Sequence, residues 1–233
     1  MIMTTIASQL AQVRERIDAA CAAATRTPGS VRLLAVSKTF GPDAVREAFA
    51  AGQIAFGENY VQEGVAKIEA LADLRSAIEW HCIGPLQSNK TRVVAEHFDW
   101  VHSIDRLKIA ERLSEQRPAH LPPLQVCLQV NVDGGANKSG LAVEDALPLA
   151  RAVAALPRLQ LRGLMAIPEP APDFEAQRAL FLRAGQVFAQ IHADGIALDT
   201  LSLGMSADLE AAIAAGSTMV RIGTAIFGGR PKP

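Results

Sequence analysis

Apolar residues recur at Ile6, Leu10, Val13, Ile17 and Cys21, in steps of three and four that predict an amphipathic helix at the start of the chain. After the turn-forming run TRTPGS the pattern changes. The run at 31–36 (VRLLAV) is short, apolar and bounded by turn residues, as a buried strand would be. Similar runs follow near 53–56, 78–83, 99–102, 124–131, 160–166, 200–204 and 218–222, most of them separated by helix-like stretches. The clearest of these helices runs from Asp173 to about His192, with Phe174, Phe181, Ala184, Phe188 and Ile191 on one face.

Eight strands alternating with helices predict an α/β fold, a single (β/α)8 barrel over residues 1–233. The tail after the last strand is too short for a full outer helix, so residues 1–30 are expected to cover that gap with the N-terminal helix. A doubly wound open sheet competes on periodicity alone, but no G-x-G-x-x-G follows the first strand to mark a dinucleotide site.

Charge and composition narrow the function classes. The chain has 233 residues, 49% of them hydrophobic, with 23 basic against 24 acidic side chains. That balance supplies no broad electrostatic footprint for nucleic acid or an anionic membrane. No apolar run approaches the roughly 20 residues needed to span a bilayer, and the first residues do not read as a signal peptide. Cys21, Cys82 and Cys127 are too scattered for a disulfide framework or a zinc cluster, and five histidines without paired ligand spacing give no metal site. A cytoplasmic location is the expectation.

In a barrel the chemistry gathers at the C-terminal ends of the strands. The first strand ends in AVSKTF, which places Lys38 at that mouth, on the same face as Val36. Lys38 is either a solvated lysine or, beside apolar walls and a second cation, a nucleophilic amine able to form a Schiff base. Arg221, near the end of the last strand, would stand beside it, as that second cation or as half of a structural ion pair. The loops after the seventh and eighth strands suit a phosphate: Gly204 permits close backbone approach, Ser206 reads as the N-cap of a helix over 206–214, and Gly223 and Thr224 add N–H groups and a hydroxyl. Asp208 opposes an anion unless it points away.

An amine, a phosphate cradle and a guanidinium between them are what pyridoxal 5′-phosphate needs. An arginine at the pyridine nitrogen stays protonated, leaving that nitrogen unprotonated and the cofactor a weaker electron sink. Asn59, in FGENYVQE, is a turn residue or an amide donor to the phenolic oxygen. His81, in WHCIGPLQSNK, is a structural histidine or a neighbour of the ring, and Asn89 and Lys90 are expected to open the next helix.

The motifs AVSKTF, FGENYVQE, WHCIGPLQSNK, NKSGL, GLMAI and SLGMSADLEAAIAAGSTMVRIGTAIFG, in that order, resemble the pyridoxal phosphate homeostasis proteins. The resemblance covers residue 31 to the C-terminus and implies a barrel like the N-terminal domain of alanine racemase, of fold type III. It implies a Schiff base on Lys38, phosphate contacts from Ser206, Gly223 and Thr224, Arg221 at the pyridine nitrogen and Asn59 near the ring. The preferred reading is a vitamin B6 homeostasis protein that sequesters the cofactor and passes it to apoenzymes, and the small size without an additional β-domain favours a monomer. The sequence VNVDGGANKSGL departs from the family pattern at Gly135 and Asn137, so Lys138 reads as a loop lysine or as a second amine near the mouth. The rival is an amino-acid racemase, which needs acid/base groups on both faces of the substrate. Lys38 serves one face, and the only tyrosine is Tyr60. A Schiff-base aldolase is a third reading, against which the pairing of Lys38 with Arg221 argues.

Overall fold

The computed structural model describes residues 5–134 and 139–229. Its strands are β1 (Arg32–Val36), β2 (Ala55–Glu58), β3 (Glu79–Cys82), β4 (Trp100–Ile104), β5 (Leu124–Asn131), β6 (Leu141–Ala142), β7 (Leu159–Met165), β8 (Thr200–Ser202) and β9 (Met219–Ile222). The helices are α1 (Ile6–Ala23), α2 (Pro42–Ala50), α3 (Val61–Ala70), α4 (Thr91–His97), α5 (Leu107–Gln116), α6 (Ala146–Ala154), α7 (Phe174–Ala193), α8 (Leu209–Ala214) and α9 (Thr224–Phe227).

All strand pairings are parallel, in the order β4-β3-β2-β1-β9-β8-β7-β5-β6, and a further pairing of β4 with β5 closes the sheet on itself. The result is the (β/α)8 barrel, which excludes the open doubly wound sheet. The two-residue β6 lies outside the ring and pairs only with the end of β5, at Val130 and Asn131. Such a short strand leaves no periodic signal in the sequence.

Most strand boundaries differ from the sequence expectation by one or two residues, and two of the differences have a visible cause. β2 begins at Ala55 rather than 53, because the Gln53 amide closes the preceding turn by donating to the carbonyls of Leu33 and Ala55, both at 2.8 Å. β8 stops at Ser202 because the chain leaves the sheet through Gly204 at φ +91°, a left-handed conformation that suits glycine.

The apolar stripe of α1 is buried at Leu10, Val13, Ile17, Ala20 and Cys21, and the helix packs against α2, α8 and α9. Thr5 caps it, accepting from Ser8 N–H at 3.2 Å. Arg26 ties its far end to the carbonyls of Ile213 and Ser217 at 2.9 and 2.6 Å. α1 therefore fills the outer layer where the four-residue α9 is too short. α7 starts after Asp173, whose carboxylate caps Ala176 N–H at 2.8 Å. It buries Phe181, Ala184 and Ile191 of the expected face, but Phe174 in its first turn is exposed and Phe188 half-buried, while Gln177 and Val187 complete the buried stripe. Cys21, Cys82 and Cys127 are buried thiols, and burial pushes Cys82 and Cys127 up to about 12.

Leu10 is fully buried on α1. Leu10→Ala is expected to cost about 2–5 kcal/mol in urea unfolding while the circular dichroism of the native barrel is kept. A loss below about 0.5 kcal/mol would show that α1 is not part of the cooperative core.

Candidate functional site

Barrel closure sets β1 beside β9, with Leu34 opposite Arg221 and Ala35 opposite Ile222. Along β1 the even positions Leu34 and Val36 cluster with Ala55, Ile83 and Met219, apart from the main core under the helices. This cluster occupies the inner side of the strands, and the parity carries on to Lys38 at the mouth. A cavity of about 450 Å³ opens there, lined by Lys38, Asn59, Ser206, Arg221, Gly223 and Thr224 together with apolar walls from Val36, Phe40, Ile83, Ile167 and Met205. Phe40 is fixed by stacking on Phe227, with ring centroids 5.3 Å apart.

Of the seven residues expected at the site, six share this cavity. The seventh does not. His81 is fully buried inside the barrel, stacked on Trp100 at 5.1 Å and hydrogen-bonded to His102 and Glu79, so it does not face the mouth. The reason is its place in the strand: His81 sits in β3, one layer below the cavity, where Ile83 of the following loop lines the wall.

Ser206 is half-buried at the rim, but it does not cap a helix over 206–214. Residues 206–208 form a turn, and α8 starts only at Leu209. The Asp208 carboxylate accepts from Met205 N–H at 2.6 Å, which closes the turn. It therefore folds back on its own loop and is not among the cavity-lining groups. Burial raises its pKa, against the lowering effect of that hydrogen bond and of Arg221. From below, Arg16 of α1 donates to the Ser206 carbonyl at 2.8 Å and makes a two-pronged pair with Glu210. Across the mouth, Gly223 runs so close to β1 that a Cβ would lie 3.0 Å from the Val36 carbonyl oxygen.

Arg221 is buried and donates through Nη1 to the Ser202 carbonyl and hydroxyl at 2.5 and 2.8 Å, and through Nη2 to the Ala166 carbonyl at 3.0 Å. Burial lowers its pKa to about 10, so it remains cationic at neutral pH. A guanidinium has five N–H donors, and three acceptor atoms leave it capacity for another. Asn59 Oδ1 is buried without a hydrogen-bond partner. Its backbone is held by the turn that follows β3: a Cβ on Gly84 would lie 2.0 Å from the Asn59 carbonyl oxygen, so only glycine fits there. Asn89 and Lys90 form a 3-10 turn directly ahead of α4, away from the cavity.

The segment carrying Lys38 is clamped on both sides by groups that sequence reasoning missed. Lys67 Nζ donates to the Ser37 carbonyl at 2.7 Å, Glu58 Oε1 at 2.8 Å and Glu63 Oε1 at 2.7 Å. Ser37 Oγ donates to Glu58 at 2.5 Å, and Thr39 N–H donates to Glu63 at 2.5 Å. Thr39 has φ +69°, which is strained for a β-branched residue and is held here by Glu63. Burial raises the Glu58 pKa, only partly offset by Lys67. The i, i+4 spacing of Glu63 and Lys67 is visible in the sequence, but it reads there as a solvated helix pair. Lys138, Gly135 and Asn137 lie outside the described residues.

The model for the N-terminal domain of alanine racemase matches residues 8–231. The pyridoxal phosphate homeostasis protein of Pseudomonas aeruginosa is 61% identical over 98% of this chain and 97% of its own. The chain belongs to the pyridoxal phosphate homeostasis protein family. A solved structure of comparable length is that of PipY of Synechococcus elongatus, determined with PLP bound, at 39% identity and TM-score 0.84, covering 96% of this chain and 100% of that one. Alanine racemase from Corynebacterium glutamicum shares the fold at 17% identity and TM-score 0.68, and the match covers 97% of this chain but 62% of the racemase.

Lys67→Met leaves the Glu58 carboxylate buried without its ammonium partner, at an expected cost of about 3–5 kcal/mol near neutral pH. A carboxyl whose folded pKa lies above its unfolded value contributes stability at low pH and loses it as pH rises through the folded pKa. The deficit in Lys67→Met should therefore shrink as the pH is lowered from neutral in urea titrations, and Glu58→Gln should relieve part of it in the double variant. A deficit that grows on acidification would contradict this reading of Glu58.

Proposed function

We propose that this protein holds pyridoxal 5′-phosphate at the C-terminal mouth of the barrel and serves the homeostasis of that cofactor in the cytoplasm, as a monomer that sequesters it and passes it to apoenzymes. The observation that carries the reading is the convergence in one cavity of a primary amine, a buried guanidinium and two loops fit for an anion, contributed by the ends of β1, β8 and β9. Membership of the homeostasis family supports it, as does the cofactor present in the 39% identical PipY.

The chain's own groups fit the cofactor. The orphaned Oδ1 marks Asn59 as an amide without a protein partner at the cavity wall, and the two ends of an amide exchange by a half-turn, so it can donate or accept. Ser206, Gly223 and Thr224 would hold the phosphate through a hydroxyl pair and backbone N–H groups. Arg221 would face the pyridine nitrogen; a guanidinium at about 10 keeps its proton and leaves that nitrogen unprotonated. When bound, the cofactor supplies an aldehyde that joins a primary amine as a Schiff base, and Lys38 is the amine at the mouth. The Lys67 clamp holds the Lys38 backbone so that ordering this segment costs little when the cofactor arrives.

Racemisation fits the site less well. It needs a proton donor or acceptor opposite Lys38. Tyr60, the sole tyrosine, is 59% exposed and is not among the cavity-lining residues. An unprotonated pyridine nitrogen also weakens stabilisation of a carbanion.

Borohydride reduction of the cofactor-loaded protein followed by peptide mapping is expected to place one pyridoxyl group on Lys38. Lys38→Ala should lose the visible absorbance band with its circular dichroism unchanged. An adduct confined to another lysine would overturn the assignment. Incubation of the loaded protein with L-alanine should give no sustained appearance of D-alanine on chiral chromatography, and steady turnover would make the protein a racemase.

A further inference from the structure

The inside of the barrel is apolar at the mouth, where Leu34, Val36 and Ile83 pack together, but a row of polar side chains runs beneath. Arg221 Nη1 donates to Ser202 Oγ at 2.8 Å, and Ser202 Oγ lies 3.0 Å from His102 Nδ1. His102 Nε2 lies 2.8 Å from His81 Nδ1, and His81 Nε2 lies 2.7 Å from Glu79 Oε1. Four hydrogen bonds thus join β9, β8, β4 and β3 across the interior. Ser202, His102 and His81 are completely buried, so each polar atom depends on its neighbour in the row. Glu79 ends the row at the opposite face of the barrel, where it is one-third exposed and also accepts from Arg32 at 2.9 Å.

The chemistry of the two ends gives the row a direction. A guanidinium only donates and a carboxylate only accepts, while a hydroxyl and a neutral imidazole can each do both. Burial holds both imidazoles below their usual pKa, His102 well below, so both are neutral near pH 7. Burial alone would raise Glu79, but the hydrogen bond from His81 and the nearby charge of Arg32 outweigh it and keep the carboxyl ionised. One arrangement then satisfies every atom: the Ser202 hydroxyl donates to His102 Nδ1, His102 donates through Nε2, and His81 donates through Nε2 to Glu79. The reverse order would set the His81 Nε2 lone pair against a carboxylate oxygen. Trp100, stacked on His81 with an interplanar angle of 12° and carrying Arg162 on its ring at 4.8 Å, holds the plane of the imidazole.

We infer that Ser202, His102, His81 and Glu79 are positioning residues for Arg221, a one-way hydrogen-bond chain that aims and polarises its guanidinium from the far end of the barrel. The inference rests on the assignment of Arg221 to the pyridine nitrogen. Each link polarises the next, so the Glu79 charge strengthens the acceptor that Ser202 presents to Arg221. Glu79 thereby acts on the cofactor side of the protein without touching the cavity.

The test combines two measurements. In the cofactor-free protein, nitrogen-15 NMR of the imidazoles near pH 7 is expected to show His81 and His102 both neutral and both protonated at Nε2; an Nδ1-protonated His102 overturns the chain. In the loaded protein, Glu79→Leu and His102→Leu are expected to weaken retention of pyridoxal 5′-phosphate about tenfold and to shift its visible absorbance maximum, as Arg221→Leu does. His102→Gln, which keeps one acceptor and one donor, should recover most of the affinity, and Glu79→Gln should recover less because it restores the hydrogen bond but not the charge. If Arg221→Leu shifts the band and weakens binding while Glu79→Leu and His102→Leu change neither, the chain is merely structural and the inference fails alone. If Arg221→Leu also changes neither, the assignment of Arg221 fails with it.

Discussion

Backbone pairing between β1 and β9 is the contact on which the site depends, because it joins two parts of the chain nearly two hundred residues apart. Leu34 lies opposite Arg221, and the strands end together, one in Lys38 and the other in Gly223 and Thr224. A slip of one residue in either strand would turn Arg221 or Lys38 away from the interior. That register is protected from several directions. Gly223 fits under the Val36 carbonyl without a side chain, α1 braces the loop after β8 through Arg16, and Met219 joins Leu34 and Val36 in the inner cluster.

Around this seam the barrel keeps its charges in two different settings. Beneath the Lys38 loop, a single buried ammonium serves three acceptors, one of which, Glu63, also holds the strained Thr39. Inside the strands, a buried guanidinium is carried by carbonyls and a row of neutral relays. Buried charges of this kind contribute little net stability compared with apolar packing, and removing one partner is costly. Their value lies in geometry. They fix the strand ends that bring the amine and the guanidinium into one cavity, which loosely packed apolar residues would not do to the same tolerance.

Much of this was legible in the sequence. The strand runs were short, apolar and regularly spaced, and β5 matches its expected limits at both ends. That Lys38, Asn59, Gly223 and Thr224 line one cavity is readable from sequence because strand ends in a barrel point to one face, so the order of motifs is a map of the mouth. Ser206 lines the cavity without capping a helix: its loop is a turn closed by Asp208, and a serine before a helical pattern looks the same in either case. His81 was misplaced because its role depends on His102 and Ser202, contributed by strands that sequence distance does not relate. The Glu58–Lys67–Glu63 cluster was invisible for a similar reason, since a charged pair at helical spacing gives no sign of burial beneath the preceding strand end.

The most direct test of the account is a crystal structure of the protein loaded with pyridoxal 5′-phosphate. The expected density is continuous from Lys38 Nζ to the cofactor, with the phosphate against Ser206, Gly223 and Thr224 and the ring nitrogen on the Arg221 guanidinium. A phosphate seated elsewhere on the barrel, or a ring nitrogen turned away from Arg221, would contradict it.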